Sequence, residues 1–141
     1  MLTTSVIKGM KKAGFGRIIN VISTSVKAPL DGLGVSNTTR GAVASWGKTM
    51  ANELGQHGIT VNNVLPGFTA TGRLDEIIEN KANKTNSPKE AVIEKMKSTV
   101  PVRRFADPSE VGAVIAFLAS PAAGYVNGVN LPVDGGRTKG M

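Results

Sequence analysis

The sequence predicts an α/β fold, a mostly parallel layered sheet of about three strands joined by crossover helices. Three observations carry this reading. Two short apolar runs rich in β-branched residues, "RIINVIS" at Arg17–Ser23 and "ITVNNVL" at Ile59–Leu65, flank a segment with helical periodicity. A strong helix-start pattern, "DPSE" at Asp107–Glu110, then leads to a short strand-like run, "GVNLPVDGG" at Gly128–Gly136. Strands alternating with helices in this order call for right-handed crossovers onto one sheet.

The first element is a helix over residues 2–12, where Leu2, Val6, Ile7 and Met10 recur at helical spacing before Gly14 and Gly16 supply a stop and a turn. A helix that opens on the first residue, with no capping residue before it, suggests that sequence upstream is missing. "RIINVIS" follows, nearly continuous in Ile18, Ile19, Val21 and Ile22, the pattern of a strand covered on both faces. Ala42, Val43, Trp46, Met50 and Leu54 mark the apolar face of the next helix, which "QHG" closes with Gly58. "ITVNNVL" is a second, more polar strand.

After Pro66-Gly67 the chain becomes polar and charged through Lys97, a length and composition that suit one or two helices forming a lid over a site. There Asp75, Glu76 and Glu79 read as a solvated helix face. "DPSE" starts a further helix whose apolar face is Val111, Val114, Ile115 and Leu118. In the terminal run, Pro132 cannot donate to a ladder and favours an edge position. If the three strands lie in chain order, "RIINVIS" is an edge that is apolar on both faces, so further strands are expected beside it.

Composition sets limits. The 141 residues, 40% hydrophobic and 19% charged, fit one domain over 1–141. No apolar run approaches the roughly eighteen residues of a membrane span, and "MLTTSVIKGMKK" lacks the pattern of a cleaved signal, so a cytoplasmic protein without membrane attachment is expected. The absence of cysteine excludes disulfides, thiolate metal sites and a cysteine nucleophile, and the single histidine, His57, leaves no histidine metal cluster. The net charge of +7 is spread along the chain and only 4% of residues are aromatic, so nucleic acid is not an expected partner.

Taken together, "GRIINVIS", the helix beginning after Val35, "GITVNNVLPGFTAT", "DPSEVGAVIAFLAS" and "VNGVNLPVDGG" resemble, in order and spacing, the carboxy-terminal half of a short-chain dehydrogenase/reductase. The resemblance implies part of a Rossmann-type, doubly wound parallel sheet, NAD or NADP as hydride carrier, an alcohol or ketone as small-molecule substrate, and a homo-oligomer, dimer or tetramer, assembled through the helix bearing Trp46 and the one preceding it. It also implies what this chain lacks: the family's glycine-rich phosphate loop, the residue that selects between the two cofactors, and the helix asparagine of its catalytic set. No G-x-G-x-x-G occurs, and Gly14 and Gly16 precede a strand where that fingerprint follows one.

The family's catalytic serine aligns with Ser23. Its tyrosine, the proton donor or acceptor, aligns with Ser36, and its lysine with Arg40, four residues on and therefore on the same helix face. The exchange is a large one. A phenol of pKa about 10 can be tuned by a neighbouring cation, whereas an aliphatic alcohol is a far weaker acid and arginine, at about 12.5 or above, does not relay a proton. Ser23 and Ser36 can still hydrogen-bond a carbonyl, and Arg40 can hold a ribose, carboxylate or phosphate through its fork. Pro66, Gly67, Thr69 and Thr71 fall where the family's backbone and threonine hydroxyls meet the nicotinamide and pyrophosphate. Read without the resemblance, Ser23 caps a turn, Ser36 is an N-cap, Arg40 is a solvated charge, and Pro66-Gly67 is a strand exit. Tyr125, the only tyrosine, has no lysine four residues on and reads as a packing residue. Three readings follow: an atypical working oxidoreductase, a non-catalytic cofactor-binding or scaffold protein of the same fold, and an inactive fragment.

Overall fold

A computed structural model describes residues 2–140. In chain order the elements are helix α1 (Leu2–Ala13), strand β1 (Gly16–Val21), a 3-10 turn (Thr24–Val26), helix α2 (Gly34–Leu54), strand β2 (Ile59–Pro66), helices α3 (Gly72–Thr85), α4 (Lys89–Ser98) and α5 (Pro108–Ala119), and strand β3 (Asn130–Val133). The strands form one parallel sheet in the order β1-β2-β3. Helices cover both faces. Ile59 and Val61 pack with Ala51 and Leu54 of α2 and with Ile7 and Met10 of α1, while Val64 packs on Val111 and Leu118 of α5 from the other side. The α/β architecture with crossover helices is therefore as the sequence predicts. The expected place of Leu2 in the apolar face of α1 lies outside the described side chains.

β2 is the buried centre. Ile59, Val61, Val64 and Leu65 are fully buried, and so is Asn62, with Asn63 nearly so. Each asparagine behaves as a peptide group: Asn62 donates from Nδ2 to the Val126 carbonyl at 2.9 Å and accepts from Val129 N. Asn63, pointing to the opposite face, forms a row with its register partners, accepting from Asn20 Nδ2 at 2.9 Å and donating to Asn130 Oδ1 at 2.7 Å. Without these partners the burial of the Asn62 and Asn63 amides would cost several kcal/mol. The polar character of "ITVNNVL" thus marks internal ties rather than a solvated face.

Helix α2 approaches the sheet through small residues. Ala44, Gly47, Ala51 and Leu54 are its buried positions, whereas Ala42 is exposed and Trp46 and Met50 are only partly covered. The expected face is thus rotated toward the helix's smaller side chains. The reason lies at Gly47, where a Cβ would stand 2.9 Å from Asn63 Oδ1, so the asparagine row leaves room for backbone alone. Gly58, at φ +72°, closes the α2–β2 connection, and a side chain there would meet the Gly14 carbonyl at 2.2 Å.

The polar stretch after β2 does hold two helices, with a core of their own: Leu74, Ile78 and Ala82 of α3 against Val92 and Met96 of α4. Glu76 and Glu79 are engaged at the surface by Arg73 and Lys89. α5 begins with the expected capping box, Asp107 accepting from Ser109 N and Glu110 accepting from Asp107 N. A second expectation fails besides the face of α2. Tyr125 is fully exposed, so it packs against nothing in this chain; it stands in the loop between the 3-10 turn after α5 and β3, where the chain runs over the outside.

Two outcomes test this fold. Asn63→Ala leaves Asn20 and Asn130 facing a void, and urea unfolding should register a loss of about 3 kcal/mol. The Arg104 guanidinium, and then Asp107 N–H, hold the Glu110 carboxyl down at about 2. A depressed carboxylate contributes stability above its unfolded value and loses it as pH falls through the folded one, so amide protection in the first turn of α5 should decline between about pH 4.5 and 2. A carboxyl titration of Glu110 by NMR with its midpoint near 4.5 would contradict that coupling.

Candidate active site

β1 ends at Val21, and the two residues after it take different paths. Ile22 is buried and its N–H still donates to the Val64 carbonyl at 2.9 Å. Ser23 leaves the sheet, and its hydroxyl accepts from Ser25 N at 3.1 Å to cap the 3-10 turn. The chain then crosses to α2, which begins at Gly34 with Leu33 as its cap. Ser36 therefore lies inside the first turn and is not the N-cap.

Ser36 and Arg40 meet. Arg40 Nε donates to Ser36 Oγ at 3.2 Å, and Arg40 Nη1 donates to the Ile22 carbonyl at 2.8 Å. Both side chains are half-buried. With Thr39 and Val43 they form one wall of a hollow of about 580 Å³, whose other wall is Ile19–Ile22 of β1 and its exit. Arg40 is thus no free surface charge. Ser23 is not among the residues of this wall, and its oxygen already accepts a backbone N–H. Two contributors are not singled out by the sequence reading: Asn20, a polar side chain amid Ile18, Ile19, Val21 and Ile22, which was the available signal, and Thr39, three residues beyond Ser36 on the same helix face.

The loop after β2 is positioned separately. Gly67 N donates to the Val133 carbonyl, and a Cβ on Gly67 would approach Asp134 Cα to 2.7 Å, so the glycine permits the loop to lie against the end of β3. Thr69 bridges to Ala106 through backbone bonds of Ala70 and Phe68, and its hydroxyl donates to the Gly67 carbonyl at 3.4 Å. Thr71 caps α3 by its backbone conformation, without a side-chain bond to the helix. It borders a second hollow of about 490 Å³ between α3, α4 and Phe105. Pro66, Gly67 and Thr69 border neither hollow. The predicted residues thus fall into three groups, Ser36 with Arg40, Ser23 at its turn, and the Pro66–Thr71 loop.

What the Ser36–Arg40 pair can do follows from its donors. Ser36 Oγ accepts from a guanidinium, so its own O–H is free to donate elsewhere, and Arg40 keeps Nη2 uncommitted beside it. Such a pair binds an acceptor oxygen and, in a partly desolvated hollow, does so more strongly than at an open surface. Among the described residues no group of three or more potential metal ligands occurs, and no helix is long and apolar enough to cross a membrane.

The comparisons with known proteins agree on the lineage. Residues 1–138 match the family model described as enoyl-(acyl carrier protein) reductase. The chain is 38% identical to the short-chain reductase protein NovJ of Streptomyces niveus over 91% of its own length and 47% of that protein's. It is 35% identical to the NADPH-dependent reductase BacG of Bacillus subtilis, over 94% and 51%. Its fold superposes on that of a variant actinorhodin polyketide ketoreductase solved with NADPH at a TM-score of 0.92, with 31% identity, over 98% of this chain and 54% of that one. The chain spans about half the length of the curated relatives it matches. It belongs to the short-chain dehydrogenase/reductase family and corresponds to the carboxy-terminal region of that fold.

Proposed function

We propose that this chain forms the substrate-side half of an NAD- or NADP-dependent oxidoreductase acting on an alcohol/ketone pair, with the half that holds the adenosine and pyrophosphate supplied outside these 141 residues. The observation that carries the proposal is the Ser36–Arg40 pair opening on a hollow beside an unpaired strand edge. The fit to a dinucleotide is partial. Arg40 Nη2 and the Ser36 hydroxyl suit the ribose and nicotinamide end, and Pro66, Gly67, Thr69 and Thr71 form the separate loop at the carboxyl end of β2, whereas no G-x-G-x-x-G turn is present for the phosphates. When bound, the cofactor supplies or accepts the hydride. Ser36 donates a hydrogen bond to the substrate oxygen, and Arg40 orients Ser36 and stabilises negative charge nearby. Ser23 Oγ, which accepts from Ser25 N, likewise keeps its O–H to donate, but Ser23 does not line the hollow. An aliphatic alcohol is a poor proton donor, so turnover is slow compared with an enzyme bearing a tyrosine there.

The position of Ser23 outside the hollow and the engagement of Arg40 by a backbone carbonyl favour a second reading, a non-catalytic cofactor-binding or scaffold protein of the same fold. The third reading, an inactive fragment, applies to the 141-residue chain alone. Fluorescence titration with NADH and with NADPH separates them: binding of either with ketone reduction supports the oxidoreductase, binding without reduction the scaffold, and binding of neither the fragment. In the protein joined to its complementing half, Ser36→Tyr with Arg40→Lys should raise NADPH oxidation by a ketone at least about 100-fold; an unchanged rate would remove Ser36 from the chemistry.

The same reading places the protein in the cytoplasm as a homo-oligomer, a dimer or tetramer. α2 supports this, since Ala42 and Val35 are exposed and Trp46 is only partly covered on its outer face. Trp46→Glu should shift the sedimentation coefficient to that of a monomer, and an unaltered coefficient would exclude this face.

A further inference from the structure

The bond from Arg40 to Ile22 has a cause in the sheet. In a parallel pair each residue donates to one partner residue and accepts from the residue two further on. Ile22 N donates to the Val64 carbonyl, so the Ile22 carbonyl stands opposite the backbone nitrogen of residue 66. That residue is Pro66, which has no N–H. Ile22 is buried, and a carbonyl left unpaired there carries the cost of an unsatisfied buried acceptor. Arg40 Nη1 reaches it at 2.8 Å.

We infer that Arg40 is a positioning residue that supplies the ladder donor Pro66 withholds and, by the same fork, holds Ser36 with its hydroxyl proton turned toward the hollow. Three features of arginine are used together. Nη1 closes the strand end, Nε fixes Ser36, and the planar guanidinium makes the two bonds rigid with respect to each other. A lysine, with one nitrogen, can complete one of these but not both in the same geometry. The orientation of Ser36 follows because an oxygen that accepts from Nε directs its own proton elsewhere. The strand-end bond stands on geometry alone. Its consequence for a bound ligand rests on the site proposed above, and the tests below read Arg40 and Ser36 without any ligand, so their failure leaves that proposal to its own experiment.

The test is a double-mutant cycle between Arg40 and Pro66 in the 141-residue chain, by urea unfolding followed through the single tryptophan, Trp46. Arg40→Met should lower the folding equilibrium constant about tenfold. In a Pro66→Ala background, where residue 66 regains its N–H, the same change should cost less than about threefold. Equal losses in both backgrounds would overturn the inference. Should Arg40→Met fail to fold, recovery of folding in the Arg40→Met, Pro66→Ala double variant supports it, and continued failure overturns it. A second readout addresses Ser36. The Arg40 Nε–H proton should exchange slowly with solvent in the parent and at least about tenfold faster in Ser36→Ala, while Pro66→Ala leaves it slow. An Nε–H signal indifferent to Ser36→Ala rules out the oriented hydroxyl.

Discussion

The structure depends on the sealing of β2. A strand closed in on both faces and paired along both edges has no water to satisfy its polar groups, so a partner within the protein is worth much to each, and in β2 only the Thr60 hydroxyl goes without one among the side-chain groups described. β2 carries two asparagines and ends on a proline, which makes that demand unusually severe. Asn62 and Asn63 meet it by copying the peptide group, one on each face. Asn127 extends the pattern, accepting from Val61 N and donating to the Ala51 carbonyl, so the loop before β3 is fastened to both the sheet and α2. The packing of small residues from α2 is a consequence: only a helix without bulk at position 47 can lie over the asparagine row.

The two edges of the sheet differ in how they are finished. Val129 and Val133 offer their carbonyls to β2, so the backbone of Pro132, between them in the alternation, faces outward. Its missing N–H is lost where no ladder partner exists. On β1 the same alternation turns the backbones of Arg17, Ile19 and Val21 outward, without proline or bulge, and Val21 is half exposed. This is an edge with full capacity to pair. It lies beside the hollow that Ser36 and Arg40 line, so a strand added at this edge would also wall the candidate site.

Much of the fold was legible from the sequence because its signals are local. Apolar β-branched runs, the capping box at Asp107 and the glycine closing α2 each act over a few residues, and each produced the expected element. The buried face of α2 was not legible from periodicity, because large apolar residues dominate such a pattern while contact with the asparagine row selects small ones. Tyr125 was misplaced for a related reason: an aromatic residue in a short loop is hydrophobic in composition, yet nothing local says whether the loop turns inward. For the site, the four-residue spacing of Ser36 and Arg40 was sufficient to place them together. That Arg40 would bond to Ile22 depends on strand register, which brings residues 22 and 66 together across a long stretch of chain.

Register also changes how Ser36 and Arg40 are understood at the two positions where the sequence resemblance expects a tyrosine and a lysine. Taken singly, serine for tyrosine removes an acid and arginine for lysine removes an adjustable cation, and each looks like a loss of chemistry. In the folded chain they form one unit, since the short serine leaves its oxygen within reach of Nε, and only a forked cation spans from that oxygen to the orphaned carbonyl at the end of β1. Exchanging one member alone leaves either a hydroxyl without its orienting donor or a guanidinium with one arm unpaired.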